Sequence, residues 1–394
     1  MNQKAILALV AVVLVLAAVG GVVGGLALLD ATEEYDAPAG IAEESAASAP
    51  GVVERAAAGD DPMSFVRFGI TAPPARTPGA IRLATYNVEN LFDDQDDPDL
   101  SGRYEDIDDT KPQAHLQALA DTIRALDADV LALQEIESEA VIRWFRDTYL
   151  ADLGYEYLAS IDAGDERGIE QAVLSRFPIA SVTNWPRHPL GGVHPDKWGN
   201  SENWHAGEPL TFHRSPMRVV VEIPRDASPG AAESSDADAY RLTLYVVHAK
   251  SGRPGEYWRL AEARGLVNQI RQQLKADPDA NVVVLGDFNA FLGDESVQTL
   301  VGAGFADAIA PAGQRNPRFA THASGRRIDH ILVNDNLQPE LVAGRAFVLG
   351  TPSLPEGVDY RQEWRPDGYA SDHFPVVIEI VPVDVVPLEG ATGG

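Results

Sequence analysis

Cysteine is missing from this chain altogether. Its absence excludes disulfides, zinc–thiolate centres, thiol nucleophiles and lipid attachment through an N-terminal cysteine. It leaves the compartment open, because an exported protein can fold without disulfides. Basic residues are scarce. Lys and Arg number 31 against 59 Asp and Glu, a formal charge of -28 and a pI near 4.6. Such a surface repels polyanions at long range, which argues against tight, nonspecific duplex binding through a basic face. A hydrolase acting on a weakly held polyanion stays open, since metal ions can supply local positive charge. The plainer reading of the acidity is solubility in a salty or extracytoplasmic medium. No Gly-x-Ser-x-Gly elbow occurs, which disfavours a serine nucleophile of that kind, and the sequence holds no internal repeat.

Apolar residues are plentiful, at 45% of 394 residues. That is enough for a sizeable core, and the length suits one large α/β domain plus extensions. The run Ala5–Leu29 carries no charged or strongly polar residue. As a helix it would reach roughly 37 Å, against a hydrocarbon core of about 30 Å. It is longer than the apolar stretch of a signal peptide, and the acids after it (Asp30, Glu33, Glu34, Asp36) do not form a clean cleavage site. Residues 1–29 are therefore expected to be an uncleaved signal-anchor, with a cleaved signal peptide as the alternative. Lys4 lies on one side of the run and acids on the other, which puts the bulk of the chain outside the cytoplasm, or secreted if the segment is removed. Gly20, Gly21, Gly24 and Gly25 are ordinary membrane-helix glycines on this reading. Residues 30–78 read as a flexible acidic Ala/Pro-rich tether, with a short ordered piece around Met63–Ile70. Residues 79–384 read as the globular domain and 385–394 as a disordered tail.

Within the domain, Val/Ile-rich strand patterns fall at Ile81–Val88, Val130–Gln134, Ala172–Leu174, Met217–Ile223, Leu242–Val247, Val282–Leu285, Ile328–Val333 and Pro375–Ile380. Helical periodicity falls at Gln113–Leu126, Glu256–Lys275 and Asp294–Val301, and Leu91–Asp109 is a polar, acidic loop. Many strands with interspersed helices predict a four-layer α/β sandwich, two mainly antiparallel sheets face to face and helices outside. Two insertions stand out. Trp185–His213 is dense in Trp, His, Pro and Gly, and Asp226–Ala239 reads as a solvated loop between paired strands.

Several predicted strands end in polar residues that an apolar core would reject: Asn87, Glu135, His248, Asp287 with Asn289, Asp329 with His330, and Asp372 with His373. Singly, each is a turn or cap residue. Together, on strand ends that a sheet brings to one edge, they predict a site. Carboxylate and amide oxygens suit Mg²⁺, Mn²⁺ or Ca²⁺, and histidines beside such an ion suit a phosphate.

The segments ATYNVENLFD (Ala84–Asp93), LALQEIES (Leu131–Ser138), VVHAKSG (Val246–Gly252), VVLGDFNA (Val283–Ala290), RIDHILV (Arg327–Val333) and SDHFPV (Ser371–Val376) resemble, in order, the motifs of the endonuclease/exonuclease/phosphatase superfamily. That group includes pancreatic-type deoxyribonucleases, apurinic endonucleases, neutral sphingomyelinases and inositol-polyphosphate 5-phosphatases. The NVENLF form is similar to that of bacterial secreted nucleases. The resemblance runs from about Ile81 to Ile380. It implies that Glu135 is the principal metal ligand with Asn87 beside it, and that Asp372 is a further or outer ligand. It implies that Asp287 orients or deprotonates the attacking water, with Asn289 holding that water or a phosphate oxygen. His373, partnered by Asp329, and His248 would face the scissile phosphate, and Arg176 in AVLSRFPI would approach it. The implied cofactor is Mg²⁺, or Mn²⁺ or Ca²⁺. His330, alternating with Asp329, would face the other way and be structural.

Substrate is the open point. Trp185, Trp198 and Trp204 would stack on unpaired bases or dip into a lipid interface, or else fold into their own insertion. The four histidines there (His188, His194, His205, His213) lack metal-site spacing. A tethered nuclease is the expected function, with nucleic acid as partner, a membrane contact through the N-terminal helix, no protein partner and a monomeric state. A phospholipid phosphodiesterase or small-molecule phosphatase is the alternative enzyme, and a non-catalytic binding module the alternative class.

Overall fold

The structure is a computed structural model that describes residues 62–384 apart from 99, 225–238, 310–315, 356–357 and 359–363. The expected signal-anchor (1–29), most of the expected tether and the expected tail lie outside the described residues. Among the described residues, no helix is long and apolar enough to cross a membrane.

In chain order the strands are β1 (Ile81–Leu91), β2 (Val130–Ile136), β3 (Tyr157–Ile161), β4 (Glu170–Ser175), β5 (Ile179–Asn184), β6 (Pro189–Val193), β7 (Lys197–Trp198), β8 (Ser201–Glu202), β9 (Pro209–Thr211), β10 (Met217–Ile223), β11 (Tyr240–His248), β12 (Asn281–Asp287), β13 (Phe305–Asp307), β14 (Asp329–Asn334), β15 (Phe347–Val348) and β16 (Val376–Ile380). The helices are α1 (Gln113–Leu126), α2 (Glu139–Tyr149), α3 (Glu256–Ala276) and α4 (Glu295–Val301). Two six-stranded sheets result, in the orders β15-β16-β1-β2-β4-β3 and β13-β14-β12-β11-β10-β5. Each is antiparallel except for one central parallel pair, β1/β2 in the first and β11/β12 in the second.

Strand alternation explains the layers. Leu83, Val130, Ala132 and Val173 of the first sheet meet Val219, Leu244, Val283, Leu285 and Ile331 of the second in one buried core. Their neighbours point outward: Ala84, Leu131 and Leu133 pack under α1 and α2, and Tyr245, Val282, Val284 and Leu332 under α3 and α4. Strands covered on both faces read as unbroken apolar runs, as VLAL and VVVL do here. The helices supply matching stripes. Leu116, Leu119, Ile123 and Leu126 line one side of α1, and the Ser138 Oγ accepts from the Val141 N–H to cap α2.

The predicted sandwich is the observed one. The domain takes in residues before position 79, because residues 62–78 pack on it. Phe68 is buried, the Ile70 N–H donates to the Val348 carbonyl, and Arg82 reaches the Pro74 carbonyl. The loop expected at Asp226–Ala239 falls almost entirely outside the described residues, and the strands it joins, β10 and β11, do pair.

Candidate active site

Two departures from regular strand geometry build the site. On the first sheet the β1/β2 register shifts so that Val88, Glu89 and Asn90 stand opposite the single residue Glu135. Glu89, Asn90 and Glu135 have φ of 53°, 56° and 66°, a left-handed region that costs a residue with a Cβ about 1–3 kcal/mol. The bulge re-aims Glu135, and the Asn90 N–H holds its Oε2 at 3.1 Å. Asn87 Nδ2 then donates to Glu135 Oε1 and across to Asp287 Oδ2, both at 3.2 Å, so one amide ties the two sheets together.

On the second sheet Gly286 has φ 139°, and a Cβ there would sit 2.0 Å from the Val247 carbonyl oxygen. Only glycine lets β12 approach β11 this way. The register then sets His248 beside Asp287 and Asp287 opposite Asp329, a polar row on the face turned to the first sheet. Asn289, also at positive φ, folds back so that its N–H and Nδ2 donate to Asp287 at 2.8 and 2.9 Å. His373 enters just before β16. Its Nδ1 lies 2.9 Å from Asp329 Oδ2, and its Nε2 lies 3.9 Å from both Asp287 Oδ2 and Asp372 Oδ1. His248 Nε2 is 3.5 Å from Glu135 Oε1 and 3.7 Å from Asp287 Oδ2.

The electrostatics follow from this crowding. Burial pushes the Asp287 carboxyl up to about 7; His373 opposes the shift, and Asp329 and Glu135 add to it. Burial works against the His373 cation, but the Asp329 and Asp287 carboxylates outweigh it and hold its pKa well above the usual imidazole value. His248 goes the other way, kept neutral by burial and by Arg214 and His373 nearby. Burial also works against the Asp372 charge, yet the His322 hydrogen bond and the His373 cation hold that carboxyl below the usual range. Asp287, Asp329 and Asp372 round the His373 imidazolium, with Glu135 beside Asn87 and His248, form an oxygen-rich, electron-rich set that fits a hard divalent cation. Asp287, Asp329 and His373 bring ligand atoms within 4.8 Å of one another, as do His322, Asp372 and His373.

The structure brings Asn87, Glu135, His248, Asp287, Asn289, Asp329 and His373 together. Asp372 joins them through His373 and His322. Arg176 does not join them. Its guanidinium is held by Asp127 at 2.9 Å and Asp129 at 3.0 Å, at the start of β2. Glu135 is at the other end of that strand, about 20 Å away at the usual rise. The expected phosphate contact is thus corrected to a structural ion-pair cluster shared with Arg76. His330 faces outward as expected, with Nε2 2.9 Å from the Ala290 carbonyl.

The Trp/His insertion forms β6 to β9 and one wall of a cleft. Trp185 does not line it; its ring stacks on Tyr245 beside the α3/α4 layer. Trp198 and Trp204 do, with centroids 5.0 Å apart, and Trp204 is 71% exposed. The Lys250 ammonium lies 5.1 Å from the Trp198 ring centroid. His194, His205 and His213 gather round Trp258 of α3. The cleft, about 280 Å³, is also lined by Arg167, Arg214 and Lys250. Arg167 donates to Asn90 Oδ1 at 2.8 Å, which joins the cleft to the residue holding Glu135. Sequence reasoning missed Arg167, Arg214 and His322. Arg214 closes the Trp/His insertion and pairs with the buried Asp165 at 2.6 Å, but nothing local distinguishes it from a surface arginine.

A sequence model described as the Endonuclease/Exonuclease/phosphatase family matches residues 84–373. Among curated proteins none matches. Solved structures similar to the chain include an endonuclease/exonuclease/phosphatase family protein from Bacteroides thetaiotaomicron, at 16% identity and TM-score 0.46, covering 78% of this chain and 96% of that one. The human Nocturnin catalytic domain with bound sulfate aligns at 14% identity and TM-score 0.44, covering 77% and 95%. A mannosyl-6-phosphatase from Bacteroides thetaiotaomicron aligns at 18% identity and TM-score 0.46, covering 76% and 99%. The chain belongs to the endonuclease/exonuclease/phosphatase family. It is a phosphoesterase of that superfamily, whose enzymes generally depend on divalent metals.

Proposed function

We propose that this protein is a metal-dependent phosphodiesterase that cleaves nucleic acid outside the cytoplasm, tethered by its N-terminal apolar run. The observation that carries the nucleic-acid reading is the cleft, where Trp198, Trp204, Lys250, Arg167 and Arg214 meet. Indole faces stack on unpaired bases and neighbouring cations track the phosphates. Asp165, Glu166 and Glu208 line the cleft too, and Asp165 pairs with Arg214, so the reading leans on the indoles with Lys250 and Arg167 beside them. The tether reading rests on Ala5–Leu29 and the charges flanking it.

In this reading Glu135 and Asn87 hold the ion, Mg²⁺ or alternatively Mn²⁺ or Ca²⁺, and Asp372 steadies its surroundings. When bound, the ion neutralises a phosphate oxygen and the charge growing on the leaving oxygen. Asp287, with a carboxyl near 7, takes a proton from the water that attacks phosphorus, and Asn289 fixes the carboxylate for that transfer. His373, kept protonated by Asp329, and neutral His248 donate hydrogen bonds to the non-bridging oxygens as they gain charge.

The test is cleavage of single-stranded and duplex oligonucleotides by the full chain with Mg²⁺, Mn²⁺ or Ca²⁺, with and without chelator, beside Glu135→Gln. The expected result is chelator-sensitive cleavage that falls by about 100-fold or more in the variant. A folded, metal-binding chain that leaves nucleic acid intact and hydrolyses phospholipid or small phosphomonoesters would overturn the substrate. An undiminished rate in Glu135→Gln would overturn the metal assignment.

A further inference from the structure

The acidic loop between β1 and α1 plays no part in the reaction above, and one of its carboxylates is in an unusual position. Asp106 is buried, 2% exposed, and its Oδ1 has no hydrogen-bond partner. Its other oxygen accepts from the Asp97 N–H at 2.8 Å. Oxygens of Asp96, Glu105 and Asp106 lie within 4.8 Å of one another. Among the described residues no lysine, arginine or histidine comes within ion-pair distance of these three. A buried carboxylate with an orphan oxygen, crowded by two more, is unfavourable unless a cation occupies the space between them.

We infer that Asp96, Glu105 and Asp106 form a calcium site, separate from the catalytic residues. The donors are all hard oxygens, which selects against zinc and copper. They come from two irregular stretches of one loop, which suits the adaptable, oxygen-rich coordination of Ca²⁺ better than the tight octahedron of Mg²⁺. Binding would clasp the loop across its base, where the Lys111 N–H already meets the Phe92 carbonyl and Thr110 Oγ1 the Asp93 carbonyl. The same loop carries Tyr104, which lines the aromatic cleft, and Leu100, which packs against Gly168. Calcium at this position therefore orders one wall of the substrate cleft.

The test uses the full chain with Glu135→Gln, which disables the proposed catalytic metal site, so failure here is distinguishable from failure there. Calcium binding is followed by calorimetry and by the thermal midpoint. The Glu135→Gln chain should bind one Ca²⁺ and melt higher with it. Adding Asp106→Asn should weaken that binding about tenfold or more and erase the rise. Asp96→Asn with Glu105→Gln, at more accessible positions, should do the same and serves if Asp106→Asn does not fold. Calcium affinity unchanged in these loop variants would overturn the site. So would loss of all calcium binding in Glu135→Gln alone, and an equal thermal rise with Mg²⁺ would overturn the choice of ion.

Discussion

His373 and Asp329 show how one contact sets a protonation state. The carboxylate sits 2.9 Å from Nδ1, and with Asp287 it outweighs the burial that would otherwise discharge the ring. An imidazolium held this way stays charged through neutral pH and loses its proton only on the alkaline side. Catalysis that needs the charged form is therefore present below the raised pKa and lost as pH rises through it. Asp329→Asn removes the partner, so the pKa of His373 falls and the alkaline limb of the kcat/KM profile should move to lower pH. The turnover loss should be about 10²–10³-fold, the scale of removing one hydrogen-bond donor to a developing oxyanion. A profile whose alkaline limb does not move would remove His373 from the proposed role. His248, two strands from Asp329 in the same row, has no such carboxylate at Nδ1 and is kept neutral. Two histidines of one buried cluster thus differ in charge because one has a carboxylate behind it.

At the scale of elements, strands that are regular over most of their length break pattern where they reach the site. β1 and β2 bulge at Glu89, Asn90 and Glu135, and β12 approaches β11 at Gly286. Gly286→Ala places a methyl 2.0 Å from the Val247 carbonyl at a φ of 139°. The parallel pair must open, which should cost about 1–3 kcal/mol or more and pull Asp287 out of line with His248. A lower thermal midpoint and collapsed turnover are expected together, and wild-type stability in that variant would show the close approach to be dispensable. The insertion between β5 and β10 behaves differently, because Trp204 is 71% exposed and supports no core. Trp204→Ala should leave stability within about 0.5 kcal/mol and raise KM for oligonucleotides while kcat changes little. An unchanged KM would assign the cleft wall a purely architectural role.

For the whole molecule, charge sets how substrate arrives. A net charge of -28 opposes a polyanion until salt screens it, with a Debye length of about 10 Å at 0.1 M. kcat/KM on an oligonucleotide should therefore rise or hold as ionic strength climbs from low salt toward about 0.15 M, where a basic nucleic-acid binder would lose affinity. A steep fall would mean that Lys250 and Arg167 in the cleft, not the acidic surface, govern encounter.

The family, the sandwich and most of the cluster can be read from residue order alone, because each motif is a buried strand ending in a polar residue. That pattern is written locally in period and residue type. Helix α1 was legible to the residue because its apolar stripe repeats cleanly between Pro112 and Asp127. Helix α2 and strands β3 and β5 were not, being short and, in β5, largely exposed. Which distant charges meet depends on the folded arrangement. An arginine before Phe-Pro reads alike whether it faces a phosphate or two aspartates, and Arg176 proved to face Asp127 and Asp129. Arg167, Arg214 and His322 became part of the site, and Asp106 was left with an unpaired oxygen, for the same physical reason. Register and loop closure set those distances, and they depend on partners dozens to hundreds of residues away.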